Sequence, residues 1–165
     1  MLRILFTFAG GSGHLEPLVP LARATEAAGH DVAFVGRPWM IPQVEDLGFA
    51  AFAAGSDVGL TPRRLPLGAI DLERDMRDVG EGFGRRIARQ RAADVLALCA
   101  AWRPDLLVCE ELDSGPMIVA ERLGLPYARP WSRRRDDLRQ AVCGCRQARG
   151  LRNVLYCFQA SHIGS

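Results

Sequence analysis

Lysine is absent from the 165 residues, so all 21 of the Lys and Arg count is arginine. A Walker-type phosphate loop, which needs a lysine to reach the β- and γ-phosphates, is excluded. Also missing is any apolar run near the ~20 residues that span a bilayer. The opening MLRILFTFAGG has too short an apolar stretch and no small-residue cleavage site for a signal peptide, so a cytoplasmic protein without a membrane span is expected. A disulfide framework is not indicated either. Five cysteines are an odd number, and Cys143 and Cys145 have no histidine or second cysteine pair nearby to complete a zinc site.

What is present is enough apolar residue, 48% of the chain, for a substantial core, at a length that favours one domain. LRILFTFA (2–9) reads as a strand, a near-continuous apolar run of the kind buried in a parallel sheet; DVAFVG (31–36) reads as a second buried strand, and FAAFAA (49–54) and RPDLLVCE (103–110) as a third and a fourth. LPYA (125–128) opens a fifth. Between them lie helical patterns. After the glycine loop, Pro17 and Pro20 belong in or near a first turn, Leu18, Leu21, Ala22, Thr25 and Ala28 form the inner stripe, and Gly29 ends the helix. A short helix covers WMIPQVEDLG, and a longer one runs from Asp71 to Trp102 with a break at GEGFG (80–84) and an inner face of Ile87, Ala88, Arg91, Val95, Leu98 and Cys99. SGPMIVAERLG (114–124) is a further helix with Ser114 as its N-cap. The expected fold is α/β, a Rossmann-like doubly wound parallel sheet, with a long loop at 55–70.

Charge divides the chain in two. Residues 1–128 hold thirteen arginines against seventeen acids, a balance of −4, whereas 129–165 hold eight arginines against two acids, a balance of +6, with no strand alternation and only weak helical period. The expected organisation is a Rossmann-like domain over 1–128 and an arginine-rich atypical tail over 129–165. No nucleic-acid recognition motif accompanies that tail, so no specific nucleic-acid partner is expected.

The chemistry concentrates at AGGSGHLEPLVPLA (9–22). A dinucleotide fingerprint starting at Gly11 finds Gly13 at its second position but Glu16 at its third, and no acid stands at the end of the second strand. The loop carries His14 instead, at the carboxyl edge of the sheet, where open α/β sheets bind ligands. An imidazole can take a proton from a hydroxyl near neutral pH when a carboxylate holds its other nitrogen. Glu110, Glu111 and Asp113 stand at the end of the fourth strand, and Glu110, at the strand end itself, is the favoured partner. The competing reading makes His14 a helix-capping or solvent-facing histidine and Glu110 a loop acid favoured by a helix dipole.

GSGHLEPLVPLARATEAAGHDVAFVG together with RPDLLVCEELDSGPMIVAERLGLPYA resembles the N-terminal, acceptor-binding half of GT-B glycosyltransferases of the natural-product and UDP-glycosyltransferase-like family: G-H-x-x-P-L, A-x-G-H-x-V, P-D-x-x-V and L-G-x-P occur in order. The resemblance covers 1 to about 128. It implies that His14 corresponds to the base that deprotonates an acceptor hydroxyl for inverting attack on a nucleotide sugar, and that Glu110 takes the place of an orienting aspartate. Gly11, Ser12 and Gly13 would then border the donor, while the 55–70 loop and the helix from Asp71 to Gly84 would line the acceptor pocket. The implied partners are a small-molecule hydroxyl acceptor and a nucleotide sugar as co-substrate; no metal or other cofactor is implied. No second strand-helix series for a donor-binding domain follows in the sequence. A frameshifted or truncated product and a half-enzyme completed by a separate donor-binding chain both account for that. A non-catalytic binding module and an inactive fragment of the same fold are the alternatives.

Overall fold

A computed structural model describes residues 1–56, 68 and 70–130; the expectations for most of the 55–70 loop and for the arginine-rich segment beyond Pro130 lie outside the described residues. Five parallel strands, β1 (Arg3–Thr7), β2 (Asp31–Gly36), β3 (Ala50–Ala53), β4 (Leu106–Cys109) and β5 (Tyr127–Ala128), lie in the order β3-β2-β1-β4-β5. The order reverses at β1, which pairs β2 on one side and β4 on the other, with Thr7 opposite both Val35 and Cys109. That is the doubly wound, Rossmann-like arrangement.

Alternation along the strands divides the core into two clusters, one on each face of the sheet. Ile4, Phe6, Val32, Phe34, Leu106 and Val108 face one way and meet Leu18, Leu21 and Ala22, together with Met40 and Val44. These come from α2 (Val19–Ala27), from α3 (Ile41–Asp46) and from the short turns before each. Phe34 sits at the centre of that face, its ring 5.2 Å from Phe6 and 5.0 Å from Phe49. Leu5, Ala33, Val35, Leu107 and Cys109 face the other way, against Val95 and Cys99 of α5 (Ala88–Trp102) and Val119 and Ala120 of α6 (Ser114–Leu123). Each large apolar side chain so covered contributes about 1.5–3 kcal/mol. A strand buried on both faces has to be apolar at nearly every position, which is why β1, β2 and β4 read as runs, whereas β3, at the sheet edge, buries none of its residues.

Several local features depart from the sequence reading. The first helix is interrupted: α1 (Ser12–Leu15) passes through a 3-10 turn (Glu16–Leu18) into α2. Pro17 and Pro20 have no N–H to give to the carbonyls four residues back, so the helical ladder is broken twice and the turn tightens. Ala28 is exposed and not part of the inner stripe, because α2 ends at Ala27. The GEGFG break is a π-helical stretch, Val79–Ile87, that joins α4 (Leu72–Asp78) to α5 without a loop. The N-cap of α6 is Asp113, not Ser114, and its carboxylate makes no capping bond.

Candidate active site at the carboxyl edge of the sheet

The loop after β1 turns at Gly11, whose carbonyl accepts the His14 N–H at 2.9 Å and so starts α1. This puts the His14 side chain over the end of the sheet. Backbone pairing carries β4 one residue further, with the Glu110 N–H donating to the Thr7 carbonyl at 2.9 Å, so Glu110 leaves the sheet beside β1. The two side chains meet: His14 Nδ1 lies 3.1 Å from Glu110 Oε1, with the carboxylate 7% and the imidazole 30% exposed. The same Oε1 accepts the Leu112 N–H at 3.2 Å, and the Asp113 N–H donates to the Glu110 carbonyl at 3.0 Å, closing a tight turn after β4.

Of the three acids at this strand end, only Glu110 contacts His14. Glu111 points outward to Arg129 at 3.5 Å. Asp113 is buried and forms a bidentate pair with Arg91, from Nε to Oδ1 at 2.7 Å and from Nη2 to Oδ2 at 2.6 Å. Arg91 also donates to the carbonyls of Ala54, at 2.9 Å, and Val35, at 3.2 Å, beyond β3 and near the end of β2. Planar forks of this kind match a carboxylate in two bonds at once. In the sequence this cluster shows only as a charged residue on the apolar stripe of α5, with no sign of its partners. Close packing of α5 on α6 supports it, since a Cβ on Gly115 would lie 2.6 Å from the Ala88 carbonyl oxygen.

The glycines divide the loop's duties differently from a phosphate cradle. A Cβ on Gly10 would overlap the His14 ring at Cδ2, Nε2 and Cγ, so the imidazole lies directly against the backbone there. Gly11 faces the half-exposed Trp39 ring, 3.1 Å from where its Cβ would be, while a Cβ on Gly13 would meet nothing within 4 Å. Ser12 Oγ bonds Gln43 Oε1 at 3.2 Å and ties α1 to α3.

Behind the turn, burial first and the Asp113 charge second push the Cys109 thiol far up, and burial raises Cys99 to about 11, so neither is a ready nucleophile. Among the described residues no group of three or more histidine, cysteine or acidic side chains is placed to hold a metal ion, and no helix is long and apolar enough to cross a membrane.

No family model matches the chain. In sequence it is 32% identical over 131 residues to the L-demethylnoviosyl transferase of Streptomyces niveus, covering 78% of this chain and 34% of that protein. It is 29% identical over 150 residues to the 3-alpha-mycarosylerythronolide B desosaminyl transferase of Saccharopolyspora erythraea, covering 78% and 36%. In structure it is similar to the glycosyltransferase SsfS6 of Streptomyces sp. SF2575, with a TM-score of 0.65 and 28% identity over 77% of this chain and 38% of that one. It is also similar to the glycosyltransferase VinC in complex with dTDP, with a TM-score of 0.59 and 28% identity over 97% and 43%. The chain thus spans about a third of the length of the curated relatives it matches. Its homologues and structural neighbours are natural-product glycosyltransferases of the GT-B fold, and its described residues form a Rossmann-like α/β domain of that architecture.

Proposed function

We propose that this chain is the acceptor-binding half of an inverting, nucleotide-sugar-dependent glycosyltransferase in which His14 is the base and Glu110 its orienter. The observation that carries the reading is the 3.1 Å contact between His14 Nδ1 and the buried Glu110 carboxylate at the ligand-binding edge of the sheet. A carboxylate at Nδ1 keeps the neutral ring's proton on that nitrogen and leaves Nε2 as the basic one. As the acceptor O–H proton passes to Nε2, the oxygen attacks the anomeric carbon, the C–O bond to the nucleoside diphosphate breaks, and Glu110 stabilises the imidazolium. Attack opposite the leaving group inverts the anomeric centre.

Two neighbours were solved with thymidine diphosphate, so a dTDP-sugar is the donor class we assign, with Gly11, Ser12 and Gly13 along its edge. A donor-binding half, in the same polypeptide or a separate one, completes the enzyme. Residues 1–128 form the acceptor domain in this reading. The test is to join the chain to the donor half of a structural neighbour and measure transfer to a panel of hydroxylated aglycones. His14→Ala lowers turnover about 10²- to 10⁴-fold with acceptor binding retained. Full turnover in that variant would sink the assignment.

A second reading is favoured by one surface. Leu72, Met76 and Val79 form an exposed stripe along α4 and into the π-helical stretch, and α4 buries none of its residues. In a catalytic chain this stripe walls the acceptor site. In a non-catalytic binding module of the same fold it would be the whole function, and Leu72→Ser with Met76→Ser would abolish ligand binding while His14→Ala changed nothing.

A further inference from the structure

The His14–Glu110 contact depends on where the turn after β4 is held, and the residue that holds it does not touch either partner. We infer that Arg91 is the positioning residue for the imidazole of His14, acting through Asp113 and the Leu112 N–H on the single carboxylate oxygen that His14 meets. This deepens the reading of His14 as a base and takes its functional meaning from it.

The linkage is continuous in the bonds. Arg91 is fully buried on α5, and four of its bonds go to three separate segments: both oxygens of Asp113, the Ala54 carbonyl and the Val35 carbonyl. The guanidinium is therefore fixed against the ends of β2 and β3, and Asp113 is fixed against it. Asp113 closes the turn by donating its N–H to the Glu110 carbonyl, and within that turn the Leu112 N–H meets Glu110 Oε1, the atom that also faces His14 Nδ1. A glutamate has one more rotatable bond than an aspartate and so more ways to leave the imidazole. The Leu112 N–H removes that freedom only while the turn keeps its shape.

Asp113 also forgoes its local role to make this pair. It stands at the N-cap of α6, where an aspartate normally accepts a backbone N–H of the first turn, yet both its oxygens face Arg91 and no capping bond forms. A purely local need would have used the carboxylate as a cap. Its diversion to a residue on another helix marks the turn's position, not the start of α6, as what the pair secures.

The test reads the tautomer of His14 by imidazole ¹⁵N shifts in the full chain, well above the ordinary histidine pKa, where no substrate is needed. The parent shows the proton on Nδ1. Arg91→Met combined with Asp113→Leu removes both charges, so the protein folds without a stranded ion. This double variant is expected to lose the Nδ1–H preference to the same extent as Glu110→Ala. Val95→Ala, a buried α5 change away from the turn, is expected to lose stability but keep the parent tautomer. A folded double variant that retains the parent tautomer would overturn the inference while leaving the His14–Glu110 pairing intact. A parent tautomer in Glu110→Ala would overturn the pairing itself.

Discussion

The imidazole of His14 rests on the backbone of Gly10 so closely that no side chain fits between them. Glycine at this position is thus required by the ring that packs on it, whereas glycine at 13 meets open space.

From that contact, Gly10→Ala separates activity from stability. The group in the way is the far end of a side chain that can rotate off, so unfolding free energy should fall by only the low end of the overpacking range, about 1 kcal/mol. The ring then leaves Glu110, and turnover in the completed enzyme should fall about as far as in His14→Ala, ~10²-fold or more. Denaturant titration and a transfer assay on the same preparation check both halves. A large stability loss with full turnover would contradict the proposal.

Breaking the buried ion pair from one side should be costly. Arg91→Met leaves the Asp113 carboxylate buried without its partner, and a loss of about 3–5 kcal/mol is expected. Adding Asp113→Leu should recover most of it. Urea unfolding of the two variants beside the parent gives the comparison, and equal losses in both would show that the carbonyl bonds, not the ion pair, dominate.

Histidine 30 predicts an acid-side change. Its Nδ1 accepts the Leu2 N–H at 3.2 Å, which requires the neutral ring, and burial, followed by the charge of the N-terminus, lowers its pKa from 6.5. The unfolded chain therefore binds this proton first as pH falls. The stability due to the neutral ring is complete above 6.5 and is lost progressively below it, down to the folded-state value. His30→Gln removes this component, so the difference in thermal midpoint between parent and variant should shrink as pH is lowered from 7 toward 5. A difference that does not vary with pH would contradict it.

Cys99 and Cys109 should resist alkylation while the protein is folded. Both are buried free thiols whose pKa values burial raises. Peptide mapping after iodoacetamide treatment near neutral pH should find them unmodified until denaturant is added. Rapid labelling of either in the native protein would show that the α5 face of the sheet opens.

Much of this was legible in the sequence because parallel strands covered on both faces must be apolar throughout. The segments around Ile4, Val32 and Leu107 stood out for that reason, whereas the apolar run around Phe52 forms the edge strand β3 and buries none of its residues; His14 stood out at the junction of strand, glycines and helix. Glu110 could be preferred over Glu111 and Asp113 because it is the residue at the strand's end. What could not be read depends on distant partners. Arg91 on an apolar stripe signals a need for a counter-charge, but Asp113 and two strand-end carbonyls supply it from three places along the chain. The steric demand at Gly10 was equally hidden, since a ring folding back onto the loop leaves no mark in spacing. Two prolines pointed to a helix start but not to the 3-10 turn they produce.

The side-by-side placement of β1 and β4 sets a time as well as a geometry. His14 belongs to a strand-helix unit synthesised well before Glu110, which follows most of the remaining described chain, and they meet only once Ile4 to Thr7 pair with Leu106 to Cys109. A nascent chain arrested before β4 can bury one face of β1 and β2 and still have no site. The pair is thus a long-range contact formed late, and its tautomer signal would report completed closure of the sheet in a refolding experiment.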